Sequence, residues 1–391
     1  MGVRSRWSKP GGTRRGPVGI AAAALVLALT AGCGAGPNSV DAASGSYKDA
    51  VSRTNKELTD VYRQIKGLDP AARKKKLIEL AGREGGDITW YTAAADDDTT
   101  PLIKEFKKET GLTVKVYRAS SATVLAKSLE EKKAGRVRGD ILNYSGLDPT
   151  IGAHQGIYAP LHTIYADRMV KGTVHTNWIA DQLYPFVVAW NTDKVKPSQV
   201  PSTLKDVLTR FGDGQLAFES TDSNWLFGVV QELKREGMTE KAAIDLVADA
   251  ARKGVPVTGH TLISELLSSG QFSAAAMTYH YRSARQHQDG APVAWEPQPQ
   301  PVITTVSGTA ISATTQRPAA ALLFLEFQLT GEQKYWETAG RTTTNTDYSG
   351  GISQTKYHLD LIDDETLYKN LSKWDKLYAD MMQSSGRPPR E

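Results

Sequence analysis

Residues 87–145 read DITWYTAAADDDTTPLIKEFKKETGLTVKVYRASSATVLAKSLEEKKAGRVRGDILNYS, and their order of patterns decides the fold. Ile88–Thr92 is short, β-branched and aromatic, which predicts a strand. A polar turn follows at Ala95-Asp96-Asp97-Asp98-Thr99. From Pro101 to Thr110 the apolar positions Leu102, Ile103 and Phe106 fall at helical spacing, and Gly111 stops the helix. Leu112–Tyr117 is a second strand, with Val114 and Val116 on one face. Ser120-Ser121 opens another helix, which runs to about Lys133, and Asp140–Asn143 leads into a third strand. Strand–helix alternation of this kind predicts a mostly parallel sheet covered by helices.

Outward from this unit, a second α/β unit starts near Phe186–Trp190. It contains strand Leu216–Phe218, helices at about 224–235, 239–253 and 261–268, and strand Ala274–Tyr279. A proline-rich stretch, Pro292 to Pro301, leads to the extended segment Val302–Ile311 and to helices at about 317–329 and 331–339. The expected organisation is two α/β lobes, 87–185 with about 302–316 and 186–301, joined by crossing strands at 186–190 and within 302–311. Residues 46–86 form a helical N-terminal extension, with helices at about 46–66 and 69–83. Residues 317–391 supply C-terminal helices that pack on the lobes.

The chain has 391 residues and a formal charge of +4, but the excess is local. Residues 1–33 carry five basic groups and no acid, leaving 42 basic against 43 acidic residues in the remainder. A near-neutral body gives no electrostatic reason to bind nucleic acid. The basic start, the apolar run Val18–Leu29 and the small residues Thr30-Ala31-Gly32 describe an export signal over residues 1–32. Leu29-Thr30-Ala31-Gly32-Cys33 resembles a bacterial lipobox, in which the cysteine is lipidated. Cys33 is the chain's one cysteine, which excludes intrachain disulfides and CxxC metal sites. Residues 33–45 read as a flexible tether between lipid and domain, placing the protein outside the cytoplasm on a membrane surface. Arg14-Arg15 leaves Sec and twin-arginine export both open.

No GxSxG, HExxH, GxxxxGK[ST] or GxGxxG motif occurs, and the seven histidines are scattered. The expectation is a non-enzyme without a resident cofactor. A secreted hydrolase whose site assembles from distant residues is the reading from a different class.

From about Gly85 to Gln333 the chain resembles the extracellular solute-binding proteins of ABC importers, in the branch that includes ferric-iron binders. The resemblance rests on Glu84–Thr92, Phe106–Gly111, Tyr117–Ser121, Gly139–Leu142 and Ala189–Thr192, then Gly259–Leu262, Gly290–Val293 and Ala319–Phe324. It implies a class II periplasmic-binding-protein-like fold, a monomer that captures a small solute between its lobes, and an ABC permease as membrane partner. Ferric iron is the favoured cargo; phosphonates, phosphate esters, polyamines and thiamine are the organic alternatives.

Ligands of open α/β sheets sit beyond the C-terminal strand ends. In the first lobe this selects Thr92, Ala93, Ser120, Ser121 and Ser145. Ser120 or Ser121 would receive an anion at a helix start or simply cap that helix. In the second lobe the candidates are Glu219, Asp222 and Trp225 after one strand, and Tyr279 and Tyr281 after another, with Trp190 and Trp225 as stacking surfaces for an organic ligand. The resemblance makes Tyr279 and Tyr281 the metal ligands, because phenolate oxygen suits a hard trivalent ion. The same tyrosines would otherwise pack against the core with hydroxyls at its rim. Asp96, Asp97 or Asp98 would then take the place of the histidine that iron-binding relatives offer after the first strand. Arg118 or Arg282 would serve an anionic solute, and His260 is read as tying a turn. Cys33→Ser should release the protein into the medium or leave an unprocessed precursor; unchanged membrane retention in cell fractionation would refute the lipid anchor.

Overall fold

The computed structural model describes residues 37–391. The export signal and Cys33 lie outside the described residues. Helix α1 (Pro37–Ile65) already occupies most of the stretch read as a tether. That expectation is corrected from residue 37 onward. Small residues such as Ala42 and Ala43 permit helix as readily as coil, and the helix is held further along. Leu58, Val61 and Ile65, spaced to share one face, are buried beside Leu77, Leu80 and Ala81 of α2 (Pro70–Glu84). Asp69 caps α2 by accepting from the amides of Ala71 and Ala72, both at 2.9 Å.

The first lobe follows as β1 (Ile88–Thr92), α3 (Asp96–Thr110), β2 (Val114–Arg118), α4 (Ser121–Lys133), β3 (Ile141–Ser145) and α5 (Asp148–His154). The turn expected at 95–99 is instead the start of α3. Asp96, Asp97 and Asp98 stand in its first turn, where acidic groups complement the helix dipole. β2 and β3 flank β1 in parallel, with Ile88 opposite Val114 and Trp90 opposite Ile141.

The strand expected at 186–190 begins seven residues earlier, as the thirteen-residue β4 (Ile179–Asn191). The second lobe continues with α6 (Leu204–Arg210), β5 (Leu216–Glu219), α7 (Ser223–Arg235), α8 (Glu240–Lys253) and β6 (Val255–Val257). Then come α9 (His260–Ser268), β7 (Ala274–Tyr279), α10 (His280–Gln288) and β8 (Val293–Ala294). The return strand is β9 (Val302–Ile311). It lies antiparallel to β3, with Ile141 opposite Ile311, and antiparallel to the first half of β4, from Ile179–Thr309 to Pro185–Thr304. From Phe186 onward β4 changes partner and pairs with β7, Phe186 opposite Tyr279 and Trp190 opposite Ala274. The strand order is β2-β1-β3-β9-β4-β7-β5-β6, so the two sheets meet in β4.

The C-terminal region divides between the lobes. Helix α11 (Pro318–Gln328) is buried along its whole length against α2 and the first lobe, and α12 (Gly331–Thr338) follows it there. Beyond them, β10 (Leu359–Leu361) runs parallel to the start of β9, Leu359 opposite Val302. Helices α13 (Asp364–Lys369) and α14 (Leu371–Ser384) then lie on the second lobe, where Leu367, Trp374, Tyr378, Met381 and Met382 complete its core. The C-terminal helices were expected to pack on the lobes, but this third crossing went unread in the sequence, because residues 340–363 carry little apolar periodicity.

Two devices fasten the N-terminal helices. Arg73 of α2 makes a two-pronged ion pair with Glu326 of α11, at 2.7–3.0 Å, with both side chains under 10% exposed. Removing one partner of such a pair strands a buried charge, at a cost of about 3–5 kcal/mol. Glu84 accepts from the amides of Ala319 and Ala320 at 2.8 and 3.0 Å, placing its carboxylate on the N-terminus of α11. Burial nonetheless pushes its pKa up to about 7.

Asp181 of β4 and Glu332 of α12 are both buried near the crossing strands, and each keeps one carboxylate oxygen without a protein partner. Asn143 donates to the other Asp181 oxygen at 2.9 Å. Desolvation, and then repulsion from Asp181, raises the Glu332 pKa well above the usual carboxylate range. Desolvation raises Asp181 to about 6. An acid with a raised folded-state pKa binds its proton more tightly when folded. Its cost is therefore absent below the unfolded pKa of about 4.3 and grows as pH rises toward the folded pKa. Glu332→Gln should accordingly melt higher than the parent, with an advantage that widens between pH 5 and pH 8 in thermal scans. An advantage independent of pH would refute the assignment.

Candidate functional site

β5, β6 and β7 of the second lobe run parallel, so their C-terminal ends open on the same side of the sheet. The chain leaves β5 at Glu219, β6 at Val257 and β7 at Tyr279. These exits gather Glu219, Asp222, His260 and Tyr279. Glu219 accepts from the Thr221 amide at 2.7 Å and from the Gly259 amide at 2.9 Å, tying the β5 and β6 exits together. The His260 Nε2 lies 2.6 Å from Asp222 Oδ2, and its Nδ1 has no protein partner. One donor atom each from Glu219, Asp222 and His260 lies within 4.8 Å of the others. The imidazole stacks on Tyr279 with centroids 3.9 Å apart.

β7 ends at Tyr279 and α10 begins at His280, yet the two tyrosines stay together. Their rings are 6.0 Å apart and inclined by 17°. His280 turns the other way, 3% exposed, with its ring edge-on to Trp295 at 4.4 Å. Tyr184 of β4 faces the pair, 5.0 Å from Tyr279 and 6.4 Å from Tyr281, and Phe186 closes the group 5.5 Å from Tyr279. Burial, and then the charge of Asp222, hold the Tyr279 hydroxyl well above the usual phenol range. A nearby cation would reverse that electrostatic sense.

The first lobe contributes Asp98 and Arg341, which form an ion pair with both side chains about nine-tenths buried. Arg341 follows α12, and its guanidinium lies 3.8 Å from the centre of the Tyr281 ring. Burial pushes the Asp98 carboxyl up, and the Arg341 charge beside it pulls it back. Asp96 and Asp97 are exposed.

Other residues expected at the site serve the fold. Thr92 is buried, donating to Asn143 Oδ1 at 2.7 Å and accepting from the Ala94 amide at 3.0 Å. Ala93 offers only its backbone. Ser120 caps α4 by accepting from the Thr123 amide at 3.3 Å. The Ser121 hydroxyl accepts from the Ser145 amide at 2.9 Å and faces its carbonyl at 3.3 Å, which clips α4 to the end of β3. Of the two roles open to Ser120 and Ser121, both hydroxyls fill the structural one.

Trp225 and Trp190, expected as stacking surfaces, are each 3% exposed within the second lobe's core. Trp225 lies on the inward face of α7, edge-on to Phe218 at 5.9 Å. Trp190 stands at the opposite end of β7 from Tyr279, where it borders a 570 Å³ cavity with Val195, Pro197, Pro201 and Pro297. Arg118 is exposed, whereas the Arg282 guanidinium lies 5.2 Å from the Tyr281 ring.

Tyr184, His260 and Arg341 also join this cluster, although the sequence did not single them out as ligand-binding candidates. His260 carried a legible signal, since it directly follows a β6 exit of the same kind as the β5 and β7 exits. Tyr184 sits mid-strand and Arg341 lies in an aperiodic loop, so neither was marked by local pattern.

No protein-family model matches the chain. Among solved structures it is similar to iron-bound HitA from Pseudomonas aeruginosa, at 18% identity and a TM-score of 0.64, covering 76% of this chain and 99% of that one. It is also similar to a ferric binding protein from Campylobacter jejuni, at 17% identity and a TM-score of 0.62, over 75% and 99% of the two chains. The fold is that of the two-lobe periplasmic binding proteins. A third structure with this binding-protein fold is AfuA from Actinobacillus pleuropneumoniae with fructose-6-phosphate bound, at 18% identity and a TM-score of 0.64, over 76% and 99%. Among the described residues, no helix of this binding-protein fold is long and apolar enough to cross a membrane.

Trp225→Ala should lower stability by about 3–5 kcal/mol, as expected for emptying a packed aromatic site, while Ser120→Ala should cost about 1 kcal/mol as a lost helix cap. Denaturant unfolding measures both. A Trp225→Ala protein of parental stability would return that residue to the cleft.

Proposed function

We propose that this protein is the solute-binding component of an ABC importer, capturing its cargo between the lobes and passing it to a membrane permease. Ferric iron is the cargo that the donor set supports best. The observation that carries this reading is the convergence of Glu219, Asp222 and His260 within 4.8 Å, next to the paired rings of Tyr279 and Tyr281. Carboxylate and phenol oxygens are hard donors suited to a hard trivalent ion, and imidazole is a common companion. The likeness to two ferric-binding proteins and the expected lipid on Cys33 agree with uptake at a membrane surface.

Coordination by tyrosine gives an observable signature. Protein loaded with ferric iron should be coloured by phenolate-to-iron charge transfer. Tyr281→Phe should abolish or shift that colour and weaken binding while leaving the melting temperature close to parental. Protons compete for phenolate and carboxylate oxygens, so lowering the pH should release the metal. Colourless protein that takes up no iron, even with a small anion supplied, would refute the metal cargo. A small organic solute has its own supporting observation, since the aromatic walls of Tyr184, Phe186 and Tyr279 stand beside the charged Arg341. Retained binding of a sugar phosphate or an amine by protein that ignores iron would favour it.

A further inference from the structure

Arg341 stands apart from the rest of the site because it touches both lobes. It belongs to the first: its amide donates to the Trp336 carbonyl at 2.8 Å, and the next residue, Thr342, bridges to Leu183 of β4. Its guanidinium is braced by Asp98 on α3, also in the first lobe. The planar face rests on Tyr281, which α10 holds in the second lobe. With the Arg341 side chain 12% exposed and Asp98 10%, the contact is largely shielded from water. A shielded cation–π contact is worth more than an exposed one, enough to shift a two-state ratio by roughly ten- to thirtyfold.

The surrounding charges favour a cation held there. Asp98 faces it directly, whereas burial pushes the nearby Asp181 and Glu332 of β4 and α12 toward their neutral forms, so Asp98 is the acid that braces it. Arg282 on α10 is the opposing positive group, on the other lobe and 5.2 Å from the same ring. Among the described residues, no second arginine or lysine pairs a first-lobe acid while lying on a second-lobe aromatic ring.

We propose that Arg341 is an interlobe latch: carried by the first lobe and braced by Asp98, it clasps the Tyr281 ring and holds the cleft closed before solute enters. Closure therefore does not wait for cargo, and cargo enters during excursions in which the latch lets go. The proposal rests on reading the cleft as the solute site, but its test uses the empty protein, so a failed cargo assignment and a failed latch can be told apart.

The experiment is small-angle X-ray scattering on the full chain after chelator treatment, with no solute added. Parental protein should show the smaller radius of gyration. Arg341→Gln, which removes the charge at similar size, should increase it. Tyr281→Leu should do the same from the opposite lobe, and so guards against an Arg341→Gln protein that does not fold. Tyr281→Phe keeps the ring and should stay compact, although it loses the hydroxyl needed for metal. Arg341→Lys keeps the charge without the planar face and should fall between. Equal radii for the parent, Arg341→Gln and Tyr281→Leu proteins would overturn the latch, and so would an empty parent already as expanded as the variants.

Discussion

The architecture depends on one strand exchanging its partner. β4 satisfies its backbone groups on β9 through Pro185 and on β7 from Phe186, so one continuous backbone belongs to both lobes. Backbone donors and acceptors buried without partners are costly, and this exchange must therefore occur without a gap. It also places Tyr184 and Phe186 on either side of the changeover, at the base of the space between the lobes. The aromatic cluster is thus built partly on the connection itself, and a rotation of one lobe against the other necessarily changes its geometry.

Much of the first lobe was legible because its strands and helices are short, regular and punctuated. Gly111, Ser120 and the valines of β2 say where elements end and which face is inward. Two successive strand–helix series supplied the two-lobe expectation, resemblance to a binding-protein family added the class of fold, and solved structures below 20% identity share that fold across three quarters of the chain. The site was legible in part. Switch-point reasoning named Asp222, Tyr279 and Tyr281, which the fold brings into one cluster, and also Ser120, Ser121 and Trp225, whose side chains engage the fold. Strand ends recruit side chains for two purposes, to receive a ligand and to fasten the next helix. Those purposes use the same residue types, and only the hydrogen-bond partners separate them.

What could not be read was long-range and aperiodic. Arg341 reaches Asp98 across 243 positions of sequence, within a segment rich in threonine and glycine. Asp181 and Glu332 likewise belong to different elements, and their proximity comes from packing α12 against β4. The tether offers the opposite lesson. Small residues near 40 permit a linker, but the docked turns from Tyr47 to Ile65 extend order back toward Pro37.

The position of α14 has a consequence for the order in which the chain can mature. The second lobe begins at β4, yet its core includes Trp374, Tyr378, Met381 and Met382 of α14, the last helix described. A ribosome-bound chain therefore lacks a wall of this lobe until α14 has been made, whereas the first-lobe elements through β3 emerge early. The second lobe cannot close its core during that interval, so the order of the elements makes it the later of the two to fold.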